Sequence, residues 1–284
     1  MTTAVAIVNW NSGRWLLACI ESVLATAPNV DIVVVDNASE DESVEMALGV
    51  RNRVDFILNR TNRGLAPAMN QAFAATSAAY VLMLNPDVRA TAGAVACLQD
   101  FMDVHPRAGA VGGFVNAKYW PRRLPGVGNL ILQNLGIAPK HSRQTVRPGD
   151  PRETFAVEQP AAAALLIRRE AYEEIGGFDE QFYPAWYEDV DFCCRLKAAR
   201  WETYFAPQAE FLHEGGYSAK ALGADAFAQA YYRNQLRYAK KHFGTRGALA
   251  VRSSIVLGML GRMTARPRDA RAHWKAILGA LGRW

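Results

Sequence analysis

Strand-like and helix-like stretches alternate through the first hundred residues, and this rhythm restricts the fold more than any other feature. Four apolar, β-prone runs lie at Ala4–Asn9, Asp31–Asp36, Val54–Leu58 and Ala79–Leu84. Residues 13–26 place Trp15, Leu16, Cys19, Ile20, Val23 and Leu24 at helical spacing. Residues 41–50 read as a helix entered through Ser39 with acids in its first turn, and residues 64–76 as a helix of small side chains. A helix over 91–104 and a short strand over 110–115 extend the pattern. Repeated β-α-β with short links predicts an α/β protein with a mostly parallel, Rossmann-like central sheet and helices on both faces. Sheets of this kind bind ligands beyond the carboxyl ends of their strands.

Asn9, Asp36 and Asp87 all fall at those ends. Each alone reads as a turn former or helix cap; together they mark one edge of the sheet. Asp87 is the most informative. The apolar run Tyr80-Val81-Leu82-Met83-Leu84 leads through Asn85-Pro86 to its carboxylate, at an edge where the chain is expected to stop pairing. A carboxylate placed there is costly unless something positive meets it. Hard oxygen ligands suit Mg²⁺ or Mn²⁺, here carrying a diphosphate.

From Lys118 to Glu158 the regularity lapses, and Arg122, Arg123, Arg143, Arg147 and Arg152 punctuate a segment rich in proline and glycine. A stretch this long reads as a lid or binding loop. An apolar strand over 159–168 and a helix follow, then Gly176-Gly177-Phe178-Asp179. Glu188, Asp189 and Asp191 open a helix running to about Arg200. The helix dipole accounts for one or two such acids. Three, flanked by Trp186, Tyr187 and Phe192, point to a site: aromatic faces suit sugar rings, and a carboxylate beside them accepts a hydroxyl proton. In a first helical turn Asp189 is expected to stay ionised. His213, between Phe211-Leu212 and Glu214-Gly215-Gly216, reads equally as a packing residue and as a second ligand to a metal at Asp87.

The chain's 284 residues are half hydrophobic, enough for one large α/β domain with an appendage. Cys19, Cys97, Cys193 and Cys194 show no metal or disulfide spacing and read as reduced thiols of a cytoplasmic protein. No signal peptide is visible, and the longest uncharged run, residues 64–86, reads as helix then strand, not as a membrane span. The net charge of +5 is unevenly spread. Residues 233–284 hold 12 Lys/Arg and one acid, a net +11, and the rest of the chain is at −6.

The motifs now assembled resemble a known family. In order they are Val8-Asn9-Trp10-Asn11, Val34-Val35-Asp36-Asn37-Ala38-Ser39, Asn62-Arg63-Gly64-Leu65-Ala66-Pro67-Ala68-Met69-Asn70, Leu84-Asn85-Pro86-Asp87, Gly176-Gly177-Phe178-Asp179, Glu188-Asp189-Val190-Asp191 and His213-Glu214-Gly215-Gly216. Over about residues 4–243 the chain resembles family 2 glycosyltransferases of the GT-A fold, most of all the rhamnosyltransferase-like branch that builds bacterial cell-wall and surface polysaccharides. The resemblance implies an inverting transfer from a dTDP- or UDP-sugar, rhamnose favoured, to a lipid-linked or glycan acceptor. It implies that Asp36 accepts a hydrogen bond from the pyrimidine and that Trp10 packs on the base. Val8 and Asn9 offer backbone contacts, while Asn37, Asn62, Gly64, Asn70 and Asn85 line the nucleotide and its diphosphate. Asp87 with His213 holds Mg²⁺ or Mn²⁺, Asn85 standing where the family's metal motif usually has its first Asp. Asp189 is the base, assisted by Glu188, and Trp186, Tyr187 and Asp191 shape the acceptor site.

The expected organisation is a catalytic domain over 1–232, with a nucleotide-sugar half to about 117 and an acceptor half over 118–232, and a basic amphipathic helical tail over 233–284. In the tail Trp274, Ile277, Leu278, Leu281 and Trp284 recur at helical spacing among Arg271, Lys275 and Arg283, the pattern of a helix lying on an anionic membrane. This suits a cytoplasmic protein peripheral to the inner face of the plasma membrane. No nucleic-acid recognition motif accompanies the basic residues. A sugar nucleotidyltransferase would need a glycine-rich basic loop where Asn11-Ser12-Gly13-Arg14 stands. A non-catalytic nucleotide-sugar-binding scaffold at the membrane would not need Asp87 and Asp189.

Overall fold

The computed structural model describes residues 1–137, 153–213, 222–265 and 270–282. Four parallel strands, β1 (Thr3–Asn9), β2 (Asp31–Asp36), β3 (Asp55–Leu58) and β4 (Tyr80–Leu84), form half of the sheet in the order β3-β2-β1-β4. The other half is mixed. β8 (Ala164–Arg168) runs antiparallel to β4 and to β6 (Ala108–Phe114), and β6 runs parallel to β9 (Glu202–His213). The short β5 (Val88–Ala90) and β7 (Phe155–Val157) both pair antiparallel with β9.

Alternation within the strands builds a core on each face. Val5, Ile7, Ile32, Val34, Leu82 and Leu84 pack beneath α1 (Trp15–Thr26) and α4 (Ala94–Val104). Ala6, Val33, Val35, Val81, Met83 and Leu165 face α3 (Leu65–Ala74), α6 (Arg169–Glu174) and α7 (Glu188–Ala198). The helix expected over 41–50 is shorter: α2 (Ser43–Ala47) passes into a 3-10 turn over Leu48–Arg53.

Three departures from the sequence reading matter for function. First, the chain does not stop pairing at Asp87. A turn closed by Val88 N–H to Asn85 O (3.1 Å) sends it straight into β5, where Val88 faces His213 on β9. Second, the irregular segment contains α5 (Val127–Asn134) and β7, while its Arg143, Arg147 and Arg152 lie outside the described residues. The strand expected from Gln159 begins only at Ala164; Pro160 has no N–H to give a ladder, and Gln159 makes an isolated bridge to Arg122.

Third, the boundary at 232/233 falls inside a helix. α8 (Ala224–Ala265) is broken only at Gly244, whose φ of 68° takes it out of helical geometry. With α5 and α9 (Ala270–Leu281) it builds a third core around Leu130, Leu236, Tyr238, Val251, Ile255 and Ile277. The helices close on small residues: a methyl at Gly258 would run into the carbonyl of Asn134, and one at Gly279 would lie 2.8 Å from the carbonyl oxygen of Gln229. Phe182 and Tyr187 of the catalytic body belong to this core too, so the basic tail is a wall of the domain. Among the described residues no helix is long and apolar enough to cross a membrane.

Candidate active site

A cleft of about 460 Å³ opens at the carboxyl ends of β1 and β4. Of the expected site residues, Val8, Trp10, Asn37, Asn62, Asn85 and Asp87 line one side, and Trp186, Tyr187, Glu188, Asp189 and His213 complete it.

On the nucleotide side the polar residues at the strand ends bind one another. The Asn9 side chain is wholly buried and donates to Asp36 (2.8 Å), Ser39 (3.1 Å) and Ser43 (2.8 Å) while Ser12 donates back to it. Its backbone carbonyl accepts from Asn37 N–H (2.8 Å). Asp36 accepts from the Ser39 N–H (3.0 Å) and hydroxyl (2.6 Å). Asn37 donates to the Gly64 carbonyl (3.0 Å), fixing the turn in which Asn62 caps the Gly64 N–H (2.9 Å). Gly64 has φ 92°, and a methyl there would meet Tyr183 and Pro184 at 2.9–3.0 Å. Asn9, Asp36 and Gly64 thus build the shelf beneath Trp10, Asn37 and Asn62 and do not themselves line the cleft.

Asn70 and Asp191 are also placed away from the cleft. Asn70 donates to Phe178 O and Glu180 (2.9 Å each) and accepts from Tyr172 and from Phe178 N–H, pinning the Gly176-Gly177-Phe178-Asp179 loop. Asp191 is turned into α8, as described below.

The β5–β9 register brings His213 Nε2 to 3.3 Å from Asp87 Oδ1, with both side chains more than nine-tenths buried. The Nδ1 of His213 is buried without a hydrogen-bond partner. Among the described residues no third His, Cys, Asp or Glu joins them. Asp87 and His213 would supply two protein donors to a divalent ion such as Mg²⁺ or Mn²⁺.

Across the cleft, the turn before α7 places Trp186 and Tyr187 at φ 74° each, an unfavourable conformation for large side chains. It is held from α8. Asn234, itself wholly buried, donates to the carbonyls of Tyr183 (3.3 Å), Ala185 (2.8 Å) and Trp186 (3.2 Å), and Gln235 donates to the Tyr187 hydroxyl (2.9 Å). Glu188 and Asp189 follow at the start of α7. Burial, with the charge of its neighbour Asp189, pushes the Glu188 carboxyl well above the usual range, and its Oε2 lacks a hydrogen-bond partner. Burial raises Asp189 also, against the opposing pull of the Val190 N–H (2.8 Å), Gln159 (3.4 Å) and the Arg122 charge. The helix terminus therefore does not set the ionisation of Asp189 by itself; desolvation makes it a stronger base than a free carboxylate.

Asp191, with no exposed surface, accepts from Arg195 (2.7 Å), Lys241 (2.8 Å) and His242 (2.8 Å). Lys241 also meets Asp179 (2.6 Å), and His242 Nδ1 lies 3.3 Å from Cys194 Sγ. This network fastens α7 to α8.

Arg122, Arg123, Gln159, Gln133 and Tyr231 also line the cleft, as do Tyr119 and Trp120. The sequence marked Arg122 and Arg123 only as members of a binding loop, and Gln159 carried no signal because its role arises from its bridge to Arg122.

Residues 4–176 match the profile of the family described as glycosyl transferase family 2. The chain belongs to that family. Among its relatives is the N-acetylglucosaminyl-diphospho-decaprenol L-rhamnosyltransferase of Mycobacterium tuberculosis, 27% identical over 89% of this chain and 92% of its own length. A galactofuranosyl glycosyltransferase of Leishmania donovani is 37% identical over 39% of this chain and 23% of its own. Among solved structures, a mannosyltransferase from Pyrobaculum calidifontis in complex with GDP-mannose and Mn²⁺ superposes with a TM-score of 0.60 at 14% identity, covering 98% of this chain and 85% of that one. GalNAc-T7 with UDP, GalNAc and Mn²⁺ gives 0.65 at 16% identity, covering 96% and 58%. These fix the GT-A fold. The family match spans the nucleotide shelf and Asp87; α7, His213 and α8 lie beyond it.

The Asp191 network makes a pH test of how this glycosyltransferase holds its second half together. Burial alone would lower His242, but Asp191 and Cys194 outweigh it and push the imidazole up to about 9. Burial alone would raise Asp191, but His242, Arg195 and Lys241 hold it below the usual carboxylate range. A raised histidine stabilises fully below its unfolded value of about 6.5 and loses that contribution as pH climbs through 9. The depressed Asp191 stabilises above its ordinary value and fails only as acid protonates it. The melting temperature is therefore expected to fall between pH 7 and pH 10, and this slope should be shallower in His242→Gln. Parallel slopes in thermal denaturation would refute the assignment.

Proposed function

We propose that this family 2 glycosyltransferase moves a hexose, rhamnose favoured, from a dTDP- or UDP-sugar to a hydroxyl of a lipid-linked acceptor in bacterial cell-wall or surface-glycan synthesis. The observation that carries this reading is that one cleft is lined by both the Asp87–His213 pair and the Asp189 carboxylate. The mycobacterial relative supports it, since it aligns over nearly its whole length and is named for an acceptor linked to decaprenol through a diphosphate.

The donor base lies against Trp10 on the shelf built by Asn9 and Asp36, with Asn37 and Asn62 towards the ribose and diphosphate. Asp87 and His213 would hold a divalent ion, which when bound neutralises charge on the departing diphosphate. The acceptor sugar rests against Trp186 and Tyr187. Its hydroxyl oxygen attacks the anomeric carbon from the side opposite the diphosphate and Asp189 removes the hydroxyl proton, so one C–O bond forms as another breaks and configuration inverts. Burial keeps Asp189 basic, and the desolvated Glu188 stands beside it at the start of α7. Asp189→Asn is expected to lower kcat by at least about 10²-fold while the dissociation constant for the donor nucleotide moves less than threefold. Parallel loss of nucleotide binding in calorimetry would sink the base assignment.

A membrane face accords with a lipid-linked acceptor. Ile277 turns into the third core, whereas Trp274 (49% exposed), Leu278 (41%) and Leu281 (57%) form a stripe on the outer side of α9. Leu257 (62%) and Leu260 (46%) extend the exposed apolar surface on α8. Trp284 lies outside the described residues. Truncation after Gly244 would open the third core, so point substitutions are the cleaner probe. Trp274→Glu/Leu278→Glu is expected to cut co-sedimentation with phosphatidylglycerol vesicles about tenfold or more at unchanged melting temperature. Undiminished vesicle binding would remove this stripe from the account.

A further inference from the structure

We propose that Arg122 and Arg123 form the subsite for the diphosphate of the lipid-linked acceptor, with the lipid leaving across α5; this rests on the acceptor reading above. Three observations lead there. Arg122 and Arg123 are the only Lys or Arg among the described residues that line the cleft, whose other charged side chains are Asp87, Glu188, Asp189 and, when protonated, His213. Donor diphosphate is provided for at the Asp87–His213 pair. The arginines lie beside the base.

Their place is fixed by the backbone. Arg122 N–H donates to Gln159 O (2.8 Å) and Gln159 N–H to Arg122 O (3.0 Å), and the Gln159 side chain donates to Asp189 (3.4 Å). Arg122 is thus tied to the base through a single residue, and its charge acts on the Asp189 carboxyl. Both arginine side chains are exposed. Arg123 has Glu158 nearby, but that carboxylate is already engaged by Lys197 (2.5 Å) and the Leu124 N–H (2.9 Å). In an acceptor whose first sugar carries the attacking hydroxyl, the diphosphate lies one ring away. An arginine side chain spans about 6 Å from Cα to guanidinium, enough to cross that ring. A guanidinium takes phosphate oxygens in pairs.

The third observation is what lies next to them. α5 begins at Val127, and its Gln133 still lines the cleft. At its outer end Leu132 (43% exposed), Leu135 (37%) and Ile137 (65%) face solvent. An isoprenoid attached to a diphosphate at the arginines meets apolar surface on leaving the cleft.

The test compares two acceptors of the full-length protein with a dTDP- or UDP-sugar donor and Mn²⁺: N-acetylglucosamine on a short isoprenyl diphosphate, and neutral octyl β-N-acetylglucosaminide. In Arg122→Ala and Arg122→Ala/Arg123→Ala, the preference in kcat/KM for the diphosphate acceptor is expected to fall about tenfold to a hundredfold, the usual weight of charged hydrogen bonds. The loss should lie in KM, not kcat. Arg122→Lys, which keeps the charge but not the fork, should recover part of it. Calorimetry with the nucleoside diphosphate and Mn²⁺ reports on the donor and on folding. A raised donor dissociation constant with an unchanged acceptor preference would assign the arginines to the donor and overturn the proposal. So would equal loss with both acceptors, or a wild type that does not distinguish them. A wild type that glycosylates neither acceptor would instead overturn the reading of the acceptor itself.

Discussion

A carboxylate without solvent stays ionised only where positive charge meets it, and Asp191 sets that requirement at the centre of the second half of this molecule. Arg195 of its own helix meets it, but Lys241 and His242 come from α8. Removing one partner of a buried pair commonly costs about 3–5 kcal/mol, so α7 and α8 are hard to separate. The same helix supplies Asn234, whose buried amide holds three carbonyls of the turn that carries Trp186 and Tyr187. Left unsatisfied, a buried carbonyl would cost about 1–3 kcal/mol. Placement of the base therefore depends on residues nearly fifty positions further along the chain.

The other half of the cleft depends on register. β4 delivers Asn85-Pro86-Asp87 from the buried sheet, and the turn into β5 sets Val88 opposite His213. Asp87 and His213, 126 residues apart in the chain, meet because the short β5 shares a ladder with the last residues of β9. A slip of one residue in that pairing would turn His213 to the opposite face.

What could be read from the sequence follows from this division. The parallel half rests on local signals: alternating apolar runs, polar residues at strand ends and short links. β2 lies at Asp31–Asp36, as its pattern indicates, and Asp87 lines the cleft. Asn9, Asp36, Asn70 and Asp191 show the limit. Each is a polar residue in a site-like motif, yet each is satisfied within the protein, and sequence does not reveal which way a side chain points once distant elements pack on it. The basic tail shows the same limit. Its composition suits a surface helix, but Leu236, Tyr238, Val251 and Ile277 close a core with Leu130 of α5, and α5 itself lay hidden in a segment without clear periodicity.

The central claim is that this cleft takes a nucleotide sugar through a metal held only partly by the protein. With two protein donors, Mn²⁺ and nucleoside diphosphate should complete each other's binding. The direct measurement is thermal stabilisation of the full chain by Mn²⁺ alone, by UDP or dTDP alone, and by both, in the wild type and in Asp87→Ala. The account predicts a joint shift larger than the two separate shifts combined, lost in Asp87→Ala, since ligands that bind together stabilise by more than either alone. Strictly additive shifts, or coupling that survives the loss of Asp87, would contradict it.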